Sequence, residues 1–81
     1  MSDQKNVRPI SVIAAEISRT WPNVNYAAKP YLAAMRSLSS VSDSYLNEDG
    51  RGVVLYFLSN ATTWRGDDAR RIKAELKALV K

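Results

Sequence analysis

The hexapeptide Val53-Val54-Leu55-Tyr56-Phe57-Leu58 is the longest unbroken apolar run in the chain, and its conformation decides the fold class. Six β-branched, aromatic and aliphatic residues suit a buried strand. Two observations weigh for a helix instead. Val54, Phe57, Leu58, Ala61 and Trp64 recur at helical spacing, so the pattern continues beyond the run. A strand would also lack a partner, because no other segment reads as one. A helix over 51–64 follows.

Three further helices complete the reading. Pro9 fits a first helical turn, and Ile10, Ile13, Ile17 and Trp21 then fall on one face, away from Glu16 and Arg19. Pro22 forces the preceding residue out of the α region, so this helix spans 9–20. Asn23-Val24-Asn25 is a short connection. Leu32, Met35 and Leu38, with Pro30 confined to a first turn, place a second helix at 28–39. The serines between 37 and 44 compete for backbone hydrogen bonds and begin a loop, or a single helical turn, with Val41, Tyr45 and Leu46 tucked against the core. Asn47-Glu48-Asp49-Gly50 is a turn. Ala69, Ile72, Leu76 and Leu79 form the apolar stripe of a last helix at 68–80. Arg70, Lys73, Lys77 and Lys81 form a basic stripe on it, and Arg71 and Glu75 are spaced to pair. The chain is expected to be all-α: a polar, frayed tail at 1–8 and one four-helix domain over 9–81. The expected core is Ile13, Ile17, Trp21, Leu32, Met35, Leu38, Val54, Phe57, Leu58, Ala61, Trp64, Ile72, Leu76 and Leu79.

With 81 residues, no cysteine and no histidine, such a domain is held by packing alone. The same absences exclude Cys/His zinc sites, Ser–His–Asp and Cys–His catalysis, and an imidazole pH switch. The carboxylates are too scattered for a convincing acid–base constellation, so no enzyme, cofactor, metal site or small-molecule substrate is expected. MSDQKNVRPI lacks the apolar centre of a signal peptide, which sets the expectation of a cytoplasmic protein with no membrane role. The net charge of +4 is concentrated at the ends. Residues 1–40 carry five positive and two negative charges, 41–64 one and three, and 65–81 six and three.

Thr63-Trp64-Arg65-Gly66-Asp67-Asp68 contains the adhesion tripeptide RGD. A joint between two helices explains it better. Gly66 can take the positive φ that terminates the third helix, Asp67 can cap the fourth, and Asp68 opposes its positive end. Other near-motifs fail on chemistry. Asn60-Ala61-Thr62 is a glycosylation sequon inside an expected helix. Aligning Gly50 with the glycine of a calcium loop puts Tyr45 and Tyr56 at ligand positions that need carboxylates.

The stretch YFLSNATTWRGDDARRIKAEL, residues 56–76, together with PYLAAM at 30–35, resembles small bacterial and prophage-type helical proteins of unknown function. The resemblance implies an all-α fold, a microbial intracellular setting and a phage or mobile-element origin. It assigns no site residue.

Two functional classes remain. One is an interaction or structural module that binds an unidentified protein partner or itself as a homodimer. Its motivation is the aromatic load of Trp21, Tyr26, Tyr31, Tyr45, Tyr56, Phe57 and Trp64, more than a small core readily hides. The other is nucleic-acid binding through a helix-turn-helix made by the last two helices. Arg65, Arg70, Arg71, Lys73 and Lys77 are the candidate contacts to a polyanion or partner. Recognition helices read bases from their N-terminal residues, and here those are Asp67 and Asp68, which phosphates repel. Protein binding is the favoured expectation.

Overall fold

The Val53–Leu58 run is helical. The computed structural model describes residues 8–45 and 48–80, and it places four helices in an all-α bundle. They are α1 (Ile10–Thr20), α2 (Lys29–Met35), α3 (Gly50–Ser59) and α4 (Asp67–Leu79). Two short strands, β1 (Ser44–Tyr45) and β2 (Glu48–Asp49), pair antiparallel with Ser44 opposite Asp49. α1 packs on α2, α2 on α3 and α3 on α4, and α4 closes back onto α1. The expected tail residues 1–7, together with Leu46, Asn47, Lys81 and the side chain of Tyr45, lie outside the described residues.

α1 and α4 match the expected spans within one residue at each end, whereas α2 and α3 stop early. α2 ends at Met35 rather than residue 39. Ser37 N–H and Leu38 N–H donate to the carbonyls three residues back, tightening the chain out of the helix while still burying Leu38. α3 ends at Ser59 rather than 64. Ser59 Oγ and Asn60 Nδ2 donate to the Leu55 and Tyr56 carbonyls, and side chains that hydrogen-bond the backbone this way favour helix ends. Tight turns through Ala61 then return Trp64 to the core, which is why the apolar spacing continued past the helix.

The core consists of apolar side chains from all four helices and their connections. Twelve of the fourteen expected core residues are buried, while Leu58 and Leu79 are only half-buried and pack at the edge. Ile10, Ala14, Ala28, Ala34, Val53, Ala69 and Val80 are buried as well. At the centre Trp21 and Trp64 stack face to face, with ring centroids 5.2 Å apart and planes inclined by 6°. Phe57 meets both edge-on, at 6.3 and 6.4 Å.

The serine-rich loop supplies what the helix starts lack. Pro9 has an extended backbone and stands before α1, not within its first turn, and offers no side-chain cap. Instead Ile10 N–H and Ser11 N–H donate to the carbonyls of Ser39 and Leu38, at 3.0 and 2.8 Å. At the start of α3, Gly50 N–H and Arg51 N–H donate to the carbonyls of Asp43 and Val41, and the Asp49 carboxylate accepts from Gly52 N–H. The loop is held by Asp43, whose carboxylate accepts from Ser39 N–H and Ser40 N–H. Val41 is half-buried against the core, as expected.

Gly50 is where this loop comes closest. A Cβ there would lie 2.6 Å from the Ser40 carbonyl oxygen and 3.1 Å from Val41 Cα, both backbone atoms. Gly50→Ala should therefore destabilise by about 1–3 kcal/mol through overpacking, despite alanine's better helix propensity, as read from urea unfolding. Trp64 is 3% exposed. Trp64→Ala should cost about 3–5 kcal/mol in the same measurement, and a loss of less than a third of that would contradict its place in the core.

Candidate functional site

The basic candidates sit on α4 and the connection before it, and two of the five, Arg70 and Arg71, are already paired with carboxylates. Gly66 has the positive φ expected of it (112°), but it serves as the N-cap of α4, not as the terminator of α3. Asp67 is consequently the first helical residue and makes no capping hydrogen bond. Its carboxylate takes Arg70 at 2.6 Å, and Asp68 takes Arg71 at 3.0 Å. Arg71 also reaches Glu16 on α1 at 2.7 Å, so the expected Arg71–Glu75 pair does not form. Glu75 instead binds Arg8 through two hydrogen bonds, from Nε at 2.9 Å and Nη2 at 2.6 Å. Arg8, assigned to the tail by its polar neighbours, is thus fastened to α4.

Lys73 is the most enclosed of the stripe's described residues. Its Nζ donates to the Trp64 carbonyl at 2.7 Å and lies 5.9 Å from the centre of the Trp64 ring. Partial burial, then the charges of Lys77 and Arg65, push its pKa below the ordinary lysine value. Trp64, Arg65, Gly66, Ala69, Arg70 and Lys73 border an open cleft of about 270 Å³. The structure therefore gathers Arg65, Arg70 and Lys73, leaves Lys77 exposed nearby, and turns Arg71 toward α1.

Glu16 is the hinge of the ion-pair cluster, although its spacing only marked it as off the apolar stripe. Besides Arg71 it faces Arg8, whose Nη1 lies 2.9 Å from Oε1. Arg71 first and Arg8 second hold the Glu16 pKa below its ordinary 4.5. Ionised Glu16 therefore favours the folded state. This contribution is complete above about pH 4.5 and is lost as pH falls through the lower folded-state value. Its side chain is 17% exposed. Glu16→Gln should cost about 1–2 kcal/mol at pH 7, between the values of exposed and buried pairs, and should flatten stability below pH 4.5 in urea titrations.

A second open cleft, of about 320 Å³, lies between the end of α1 and the face of α2. Trp21, Pro22 and Val24 line one side, and Leu32 and Ala33 the other. Ser18 also borders it, but its hydroxyl is engaged with the Ala14 carbonyl. Lys29 and Arg36 complete the lining, both exposed. Among the described residues neither takes part in an ion pair, and no carboxylate borders the cleft. Asn25 fixes the entry to α2: its Oδ1 accepts from Ala28 N–H, and its Nδ2 donates to the Asn60 carbonyl. One indole of the central stack borders each cleft, Trp21 here and Trp64 on the other.

The sequence did not single out this cleft. Lys29-Pro30-Tyr31-Leu32-Ala33-Ala34-Met35-Arg36 does carry a signal, two cations seven residues apart with Leu32 and Ala33 between them on one helical face. The aromatic residues divide as well. Trp21, Phe57 and Trp64 are core, Tyr31 is half-buried and stacks on exposed Tyr56 at 5.4 Å, and Tyr26 is 90% exposed. No family model, no curated protein and no solved structure matches the chain. Among the described residues, no helix is long and apolar enough to cross a membrane.

Proposed function

We propose that this chain is a protein-interaction module that acts by binding rather than chemistry, with the α1–α2 cleft as its docking site. One observation carries the reading: an apolar depression bordered by Trp21 and Leu32 has two exposed cations beside it that no described carboxylate neutralises. Binding sites combine apolar floors with a few polar groups in this way. Tyr56, Leu55 and Tyr26 add exposed apolar surface that a partner or a second copy could cover.

Polyanion binding is the second reading, favoured by the crowding of Lys73 by Lys77 and Arg65. Against it, Arg70 and Arg71 are already held by Asp67 and Asp68. The connection from α3 to α4 also runs through residues 60–66, longer than the three- or four-residue turn of a helix-turn-helix.

Ala33 is exposed and lines the cleft, so Ala33→Trp fills it without disturbing the core. In cross-linking from an extract of the native host, Ala33→Trp should lose the protein partner that the wild type captures. A variant neutralised at Arg70, Lys73 and Lys77 should keep it. The opposite pattern, with capture abolished by added salt, would replace this reading with the polyanion one.

A further inference from the structure

We infer that the occupant of the α1–α2 cleft is an acidic amphipathic helix of a partner protein, carrying two carboxylates about two turns apart with apolar residues between them. The inference rests on the docking role of that cleft and adds the chemistry of what docks.

Charge complementarity is the first argument. Arg8, Arg70 and Arg71 each meet a carboxylate within the chain, and Lys73 meets a carbonyl. Among the described residues Arg19, Lys29, Arg36, Arg51, Arg65 and Lys77 have no such partner, and of these Lys29 and Arg36 are the two that border the α1–α2 cleft. Both stand beside an apolar surface, where a counter-charge brought by a ligand is partly shielded from water and so acts more strongly than on an open face. A basic segment would be repelled, and a neutral one would leave both cations without a counter-ion.

Spacing is the second. Lys29 opens α2 and Arg36, still in helical conformation, caps its end, seven residues or about 10 Å apart at the helical rise. Leu32 and Ala33 lie between them on the same face. A partner helix laid along α2 meets this pattern with acidic residues at the same interval and aliphatic side chains at the third and fourth positions between. The cleft, at about 320 Å³ and open, has room for inserted side chains while the partner's backbone stays outside. A nucleic acid fits less well, because two cations flanking an apolar floor do not form the continuous basic track that a phosphate backbone follows.

The test is a selection of displayed random peptides on the whole protein, with peptides that also bind Ala33→Trp discarded. Survivors should be acidic, with Asp or Glu seven residues apart around an apolar pair. A synthetic copy should perturb tryptophan fluorescence through Trp21. Lys29→Glu with Arg36→Glu should weaken it at least about tenfold, circular dichroism confirming an unchanged fold. A copy with lysines in place of its acids should bind that double variant and not the wild type. Survivors that are neutral or basic would overturn the inference while leaving the docking site intact. A selection in which every binder also binds Ala33→Trp would overturn both. Dimerisation by light scattering that Ala33→Trp abolishes would make a second copy the occupant and overturn the acidic-helix assignment.

Discussion

The stack of Trp21 on Trp64, braced by the edge of Phe57, is the contact on which the bundle depends. Each indole comes from a connection rather than a helix: Trp21 follows α1, and Trp64 lies between α3 and α4. Their meeting joins the first helical pair to the second. Offset or edge-on aromatic pairs contribute about 0.5–1.5 kcal/mol beyond the area they bury. Cysteine is absent, so this cluster does work that a disulfide performs in many small domains. It also shapes the surface. The outer sides of the stack form parts of two separate clefts, and the packing that stabilises the protein sets where a ligand could rest.

Charge divides this surface into two kinds of basic region. On α4 Arg70 and Arg71 meet Asp67, Asp68 and Glu16, while Lys73 and Lys77 meet no described carboxylate; the Arg71–Glu16 and Arg8–Glu75 pairs tie α4 to α1 and to Arg8. On α2 the two cations remain uncommitted beside apolar side chains. A count of lysines and arginines along the chain gives the first region greater weight. Accounting for where the carboxylates lie narrows that difference, because Arg70 and Arg71 are paired and Lys29 and Arg36 are not.

The helices were legible because their stripes obey a 3.6-residue period, and the Val53–Leu58 ambiguity resolved as the continuing spacing through Trp64 indicated. Their ends were less legible. α3 stops at Ser59, where side chains hydrogen-bond the preceding turn, yet Ala61 and Trp64 are buried as a longer helix would have buried them. Gly66 carried the right conformational signal at the wrong helix, because one positive φ serves equally to end a helix or to begin the next. Arg71 and Glu75 had local spacing for a pair, but each found a partner on another segment. The α1–α2 cleft was invisible for a related reason: its two walls are separated in sequence, and only their packing makes a depression.

The carbonyls of residues 38–43 receive the first N–H groups of both α1 and α3. Neither helix start has its backbone partners until that loop is in place. This serine-rich loop is thus a cooperative junction rather than a spacer. Hydrogen exchange at Ile10 and Ser11 should consequently follow that at Gly50 and Arg51, so that two distant segments open as one unit.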